Sequence, residues 1–253
     1  MPTFHTPQPI TASIQAAAGS VRLVATDRDD TVAEVRPHDP SRQADVRSAE
    51  EARISYANGK LAVAPAKHGF LGYRMGAVDI VVELPSHSSA QVSVASADVH
   101  SDGDLAEFRF ASASGNLALQ SISGRLKAAT SSGNVDVGVL DGDTKFQAAS
   151  GALSIGHLRG HLKSQTSSGS VSIAAAVSGA ALAHTSSGAV QIGIPEGTAA
   201  QLDVMTGSGT VTNRLEPSDG PKEGEETLLV RVRTGSGDVD IHRAVQAHGT
   251  ING

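Results

Sequence analysis

Apolar and polar residues alternate in the short segments that follow each Ser-Gly pair of the sequence. After Gly133, for example, the apolar residues Val135 and Val137 flank the polar residue Asp136. A period of two is the signature of a β-strand with one buried face. The apolar positions, two and four residues after the glycine, are Leu117, Leu119, Val135, Val137, Leu153, Ile155, Val171, Ile173, Val190, Ile192, Val211, Val239 and Ile241.

The spacing of the glycines indicates repeated units. The glycine of the Ser-Gly pair recurs after 18, 18, 18, 19, 21 and 28 residues, and a second series lies midway at Gly124, Gly142, Gly160 and Gly179. A coil this short cannot enclose a core, but stacked coils bury their inward columns continuously. The pattern therefore predicts an all-β parallel β-solenoid, a single-stranded β-helix with about 18 residues per coil and right-handed winding.

An antiparallel sandwich with similar strand spacing is the alternative fold. The equal repeat lengths argue against it, because hairpins do not need arms of equal length. Small residues at inward positions, such as Ala128, Ser164 and Ala183, predict a flattened cross-section with closely spaced sheets.

Residues 1–95 are less regular but still rich in strand patterns, and we interpret them as an N-terminal capping module. Ser41 to Arg53 contains no glycine or proline and predicts a short helix. Asn58-Gly59 lies between two apolar runs and predicts a type I′ hairpin. A cap has a physical reason, since the end of a solenoid exposes unpaired strand edges.

Residues 96–245 are predicted to form the solenoid repeats. The segment 216–226 holds five acidic residues, two prolines and two glycines, and predicts a mobile loop inserted before the last coil. The segment 246–253 is predicted to be a frayed tail.

The composition excludes several classes of protein. With no cysteine, the chain has no disulfide framework, no thiolate nucleophile and no cysteine-based zinc site. A net charge of −6 argues against general binding to nucleic acid. No segment has the roughly 20 apolar residues that a membrane helix needs, and Met1 to His5 lacks the features of a secretory signal. We therefore expect a cytoplasmic protein with no membrane span and no nucleic acid partner.

The Ser-Gly-x-Val-x-Val coils resemble the bacterial β-strand-repeat family called "putative adhesin", a domain family of unknown function. The opening of the chain is similar to actinobacterial members in Ala18 to Arg22, Thr31 to Pro37, Tyr56 to Gly59 and Val78 to Pro85. The resemblance covers nearly the whole chain and implies the β-repeat fold. The adhesin label implies surface attachment, and the family offers no established reaction and no catalytic residues to transfer.

No motif of a known catalytic site is present. The sequence lacks a Gly-x-Ser-x-Gly elbow, a His-Glu-x-x-His pair and a Walker loop. A serine recurs at every corner, which indicates a structural role rather than a nucleophile. His157 and His161 are four residues apart but flank Gly160, so we interpret them as surface turn residues. We therefore expect no catalytic residues, no cofactor and no bound metal.

Acidic residues raise two further alternatives. Asp136, Asp141 and Asp143 fall in one coil without counterparts in its neighbours, whereas a calcium-binding β-roll repeats its acids in consecutive turns. Polysaccharide lyases and hydrolases with β-helix folds need clustered carboxylates and usually aromatic sugar platforms, but aromatic residues make up only 3% of this chain. We interpret these aspartates as structural surface residues. Calcium binding and a carbohydrate-active enzyme remain as alternatives.

Four basic residues stand six positions before successive Ser-Gly glycines. They are Arg109, Lys127, Lys145 and Lys163, which we call the basic column, and the next coil has Leu182 at this position. Their neighbours in the sequence point inward, so the four point outward, and stacking places them about 4.8 Å apart. The basic column is either a solvated face or a binding site for an anionic partner. Such a partner is an anionic polymer, an acidic segment of an unknown protein, or this chain's own acidic loop.

Three functions are consistent with the sequence. The first is a non-enzymatic scaffold or binding module that presents flat sheet faces to a partner. The second is a self-assembling, cytoskeleton-like β-helical protein whose rods associate through the coil ends. The third is a carbohydrate-active β-helix enzyme.

Overall fold

A computed structural model describes residues 1–65, 76–217 and 220–244 of the chain. The described residues form one helix, α1 (Gln43–Glu50), and 18 strands that belong to one continuous sheet. The strands are β1 (Thr3–His5), β2 (Thr11–Ala16), β3 (Ala18–Thr26), β4 (Asp30–Pro37), β5 (Arg53–Ala57), β6 (Lys60–Ala64), β7 (Ala77–Pro85), β8 (Ser89–Val94), β9 (Asp98–Ser112), β10 (Leu117–Thr130), β11 (Val135–Ala148), β12 (Leu153–Thr166), β13 (Val171–Thr185), β14 (Val190–Ile194), β15 (Thr198–Thr206), β16 (Val211–Asn213), β17 (Glu226–Thr234) and β18 (Val239–Arg243).

The long strands β9 to β13 run parallel and pair in the register that the 18-residue period predicts, apart from one-residue shifts within the β9–β10 and β12–β13 pairs. Val135 of β11 lies opposite Leu117 of β10 on one side and Leu153 of β12 on the other. Each long strand spans both strand segments of a predicted coil. The fold is therefore a parallel β-solenoid, and the parallel pairing excludes the antiparallel sandwich. Right-handed winding stays a prediction.

The interior of the solenoid consists of the columns that the alternation predicts. Val135, Val137, Ile155 and Ile173 are buried, whereas Asp136 is exposed. Ser154 is also exposed, whereas Ser172 is half-buried. The inward residues also include Phe108, Phe110, Phe146, Ala128, Ser164 and Ala183.

The last coil of the sequence is not the last coil in space. β17 pairs in parallel with both β13 and β15, so Val230 lies between Ala181 and Leu202. β18 likewise pairs with both β14 and β16. The chain therefore skips one rung after β14, builds the outermost strands β15 and β16, and returns through residues 214–225 to fill the gap.

At the N-terminal end of the solenoid, the first coil likewise lies between strands that come later in the sequence. β3 pairs in parallel with β7 and β9, so Val21 lies between Ile80 and Val99, and β2 pairs with β6 and β8. Antiparallel pairs close this end, since β4 pairs with β7, β1 with β4 and β5 with β6. The strands of the N-terminal segment thus continue the same sheet, while a module boundary at residue 95 stays a prediction.

A hydroxyl group three residues before the glycine fixes the Ser-Gly corners. The N–H of Gly169 donates a hydrogen bond to Thr166 Oγ1 at 2.8 Å. Gly169 has no room for a side chain, because a Cβ there would lie 1.9 Å from the carbonyl oxygen of Gly151 in the preceding coil. At the corner of Gly151 itself the hydroxyl is missing, because Ala148 holds that position. The same bond joins Ser112 and Gly115, Thr130 and Gly133, Thr185 and Gly188, Thr206 and Gly209, and Thr234 and Gly237.

Local features of the N-terminal part follow the sequence pattern. α1 lies within the segment for which a helix is predicted. Asn58 and Gly59 have φ angles of 51° and 72° and join β5 to β6 in an antiparallel hairpin. The helix is short, and no helix in the described part of the chain is long and apolar enough to cross a membrane. The predicted tail 246–253 lies outside the described residues, as do residues 218–219 of the predicted loop.

Candidate anion-binding face

The basic column lies in direct register on one exposed surface. Lys127 lies opposite Arg109 in one neighbouring strand and Lys145 in the other, and Lys145 lies opposite Lys163. All four side chains are exposed, whereas the residues directly before and after each of them are buried. Because neighbouring strands lie about 4.8 Å apart, the four cations form a line along the solenoid axis. The strand register and exposure thus place the four residues on one face, and their role in binding an anion stays a prediction.

The charges of the basic column have no acidic partner within the part of the chain that the structure describes. In the neighbouring column, two residues earlier in each strand, acidic residues alternate with Arg125 and His161. Arg125 lies 3.8 Å from Glu107, and His161 Nδ1 lies 3.2 Å from Asp143. The acids of that column therefore have partners of their own. Like charges in register lower stability, so the basic column favours a counter-charge from outside the protein.

Uncharged residues bound the basic column at both ends. Gln91 occupies the position before it and Leu182 the position after it. Beyond Leu182, the inserted last coil places Arg231 in the same line, but Arg231 donates a hydrogen bond to Asp203 at 2.9 Å. Hydrogen bonds from Arg233 and then Arg231 lower the pKa of Asp203 despite its partial desolvation. The cations of this line that lack an acidic partner in the described structure are therefore confined to four successive coils.

An open groove runs beside the basic column. It has a volume of about 760 Å³ and is lined by small, amide and hydroxyl side chains of successive coils and by the imidazole of His184. A smaller depression of about 280 Å³ contains three of the four cations and shares lining residues with the groove. Within the groove, Gln147 Nε2 donates a hydrogen bond to Gln165 Oε1 at 3.3 Å. The lining residues on which the later argument depends are Ala111, Ala129, Gln147, Gln165, Ser131 and Ser167.

The groove is a feature of the surface that the sequence pattern does not predict. Its axial row of Ala111, Ala129, Gln147 and Gln165 follows each member of the basic column by two residues. The same 18-residue spacing that reveals the cations therefore also marks this row. Alanine and glutamine are neither charged nor reactive, so the sequence does not indicate them as binding residues. Only the shape of the surface shows that they line a groove.

The candidate metal ligands of the sequence do not converge. His157 and His161 are both exposed, and His161 contacts Asp143. Asp136 and Asp141 are exposed in different strand segments of the same coil. Within residues 1–65, 76–217 and 220–244, no group of three or more histidine or acidic side chains could hold a metal ion.

One carboxylate binds both a serine and a histidine. Ser20 Oγ donates to Asp79 Oδ1 at 2.7 Å, and His38 Nδ1 lies 2.9 Å from the same oxygen. Partial burial opposes ionisation of Asp79, but the hydrogen bonds from Ser20 and His38 outweigh it and lower its pKa. The contact with Asp79 raises the pKa of His38. In a hydrolytic triad the histidine lies between the serine and the acid. Here the acid lies in the middle, so the cluster does not activate Ser20.

Comparison with known proteins supports the fold. The family model described as Toastrack DUF4097 matches residues 12–242. A crystal structure of a "putative adhesin" from Bacteroides fragilis has a TM-score of 0.55 and 10% identity, with 95% of each chain covered. Another, of a "putative adhesin" from Parabacteroides distasonis, has a TM-score of 0.51 and 14% identity, with 94% of this chain and 96% of that chain covered. No curated protein matches the chain.

Proposed function

The chain belongs to the Toastrack DUF4097 family, and from that premise we propose that it is a non-enzymatic, adhesin-like binding module. The binding surface is the sheet face that carries the basic column, and the partner is anionic. The adhesin part of the proposal comes from the names of two solved proteins with the same fold. The surface and the charge of the partner come from the geometry of this chain.

One observation carries the proposal: four cations in register have no acidic partner in the described structure, beside a column whose acidic side chains contact Arg125 and His161 of that same column. Charges about 4.8 Å apart lie well within the screening length of about 8 Å at physiological salt. They therefore act together on a ligand that spans several coils. A solvated face that only promotes solubility does not need charges of one sign in one line.

A charge-matched pair of variants tests the proposal. The first variant replaces the four members of the basic column with serine. The control replaces four exposed cations elsewhere, Arg42, Arg53, Lys60 and Lys222, and lowers the net charge equally. We expect wild type and control to bind immobilised anionic polymers at low salt, binding to weaken as salt rises, and the first variant to lose binding. The proposal is wrong if wild type binds none of a polyuronate, a polyglutamate and a polyphosphate, or if the first variant binds as wild type does.

The open end of the solenoid favours a second candidate function, self-assembly into longer rods. β15 and β16 are each paired on one side only within the described residues. Met205 is 60% exposed and Val211 is 44% exposed at this end. An unpaired strand edge is a template for another chain. Sedimentation velocity over a concentration series tests this function, and a sedimentation coefficient that is independent of concentration contradicts it.

Two further parts of the proposal rest on sequence alone. A cytoplasmic location agrees with the absence of cysteine, and fractionation of the native cell tests it. The likeness of the opening segment to actinobacterial members of the family is tested by aligning that segment across the family.

A further inference from the structure

We infer that the partner of the basic column is a linear polyuronate, a polysaccharide with a carboxylate on every sugar, lying along the solenoid axis beside the column. This inference rests on the proposed function, and it adds the chemical class and the direction of the ligand. Three features of the face support it: the step between cations, the lining of the groove and the length of the column.

The step between cations suits a sugar chain better than a peptide. Successive members of the basic column are about 4.8 Å apart, close to the length of one pyranose ring within a linear polysaccharide. An extended acidic peptide presents one face only at every second residue, about 6.6 Å apart, and falls out of step after two coils. Lysine has a long, flexible stem with a compact charge, so Lys127, Lys145 and Lys163 can follow carboxylates that point to either side of a sugar chain.

The lining of the groove matches the remaining surface of a sugar. Ala111 and Ala129 offer methyl groups for the C–H faces of the rings. The amides of Gln147 and Gln165 and the corner serines offer donors and acceptors for ring hydroxyls. A polyphosphate would use the cations but has no C–H face for the alanines.

The length of the column gives the inference a quantitative test. Uronate oligosaccharides of two to eight sugars are titrated into the full chain by calorimetry at low salt. Exposed ion pairs each contribute a small free energy, which corresponds to about a two- to five-fold gain in affinity per added sugar. We expect this gain to continue up to about four sugars and then to level off, because Gln91 and Leu182 bound the column.

Two variants move the end of the column in opposite directions. Leu182→Lys adds a cation in register beyond Lys163 and should move the plateau to at least one sugar more, whereas Leu182→Gln should leave it unchanged. Arg109→Ser removes the first cation and should shorten the plateau by one sugar. This second variant keeps the test valid if the lysine at position 182 impairs folding. A plateau that stays in place in both Leu182→Lys and Arg109→Ser overturns the axial arrangement.

Controls separate the ligand class from the proposed function. Methyl-esterified oligosaccharides keep the sugar and lose the charge, so they should not bind, and retained binding would overturn a role for the basic column. Glutamate and phosphate oligomers of equal charge should bind at least ten-fold more weakly than the uronates. If either binds as tightly, the polyuronate assignment is wrong while anion binding stands. If none of the three polymers binds, the proposed function fails as well.

Discussion

Gly237 packs directly against Gly188, so closely that a Cβ on Gly237 would lie 1.9 Å from the Gly188 carbonyl oxygen. Gly209 comes between them in the sequence but packs on the other side of Gly237, where its own Cβ would lie 2.1 Å from the Gly237 carbonyl oxygen. The order of these three glycines in space places the last coil of the sequence between two earlier coils along the solenoid axis. It agrees with the strand pairing of β17 and β18.

Replacement of Gly237 by alanine should therefore lower the free energy of unfolding by about 3 kcal/mol or more, since overpacking against backbone forces neighbouring coils apart. Ser236→Ala is the matched control, because Ser236 is exposed and such substitutions change stability by about 0.5 kcal/mol or less. Urea denaturation measures both variants. Equal midpoints for the two would contradict the close contact between Gly237 and Gly188.

Replacing either of two buried threonines with valine should change the free energy of unfolding, in opposite directions for the two sites. The hydroxyl of Thr144 has no hydrogen-bond partner in the described structure, whereas Thr166 Oγ1 accepts a hydrogen bond from Gly169. Thr144→Val keeps the shape and removes an unsatisfied hydroxyl, so we expect a gain of about 1 kcal/mol in unfolding free energy. Thr166→Val should lose about 1 kcal/mol, because the N–H of Gly169 loses its acceptor. Chemical denaturation compares them, and a change of the same sign in both would rule out this explanation.

The corner that lacks a hydroxyl offers a gain of stability. Ala148 stands where the other Ser-Gly corners have serine or threonine, three residues before Gly151. Ala148→Thr should supply an acceptor for the N–H of Gly151 and raise the unfolding free energy by about 1 kcal/mol. Ala148→Val adds similar volume without an acceptor and serves as the control. Thermal or urea unfolding should place the threonine variant above the valine variant, and the reverse order would count against a hydrogen bond at this corner.

The return segment should tolerate shortening. It has to bridge about 10 Å, two rungs along the axis, while residues 214–225 can extend over roughly 40 Å. Arg214 and Leu215 are anchored, since Arg214 N–H donates to Ile241 and Leu215 packs against the core. Replacing residues 216–225 with four Gly/Ser residues should leave the unfolding midpoint nearly unchanged, because loop closure depends weakly on length. Loss of soluble, folded protein would refute this expectation.

The contact between His38 and Asp79 should make stability depend on pH near neutrality. The pKa of His38 is raised by its hydrogen bond to Asp79, so the folded state holds the proton more tightly than the unfolded state. This stabilisation is fully present below the ordinary histidine pKa of about 6.5 and is lost as the pH rises through the raised pKa. Nuclear magnetic resonance titration should place the His38 pKa lower in Asp79→Asn than in wild type. An unchanged pKa would show that Asp79 is not its cause.

Much of the fold follows from short-range periodicity in the sequence. The register of Val135 and Ile155 and the line of Lys127 and Lys145 depend only on the 18-residue spacing and on strand alternation, which the sequence shows directly. The order of the last coils does not follow, because Val239 can pair equally well with Val190 or Val211 on the basis of its side chain. Only the closure of the chain in three dimensions selects its place between them.

The interior place of the last coil imposes an order on biosynthesis. The ribosome releases β15 and β16 before it synthesises β17 and β18. Until then, the inner edges of β15 and β16 have no strand to pair with. Solenoids that stack in chain order can fold repeat by repeat as they emerge, but this end cannot be completed until translation has passed residue 243. A nascent chain that stalls before Glu226 exposes unpaired strand edges, the kind of surface that promotes aggregation and recruits chaperones. Synthesis of β17 and β18 thus governs whether β15 and β16 become part of the sheet.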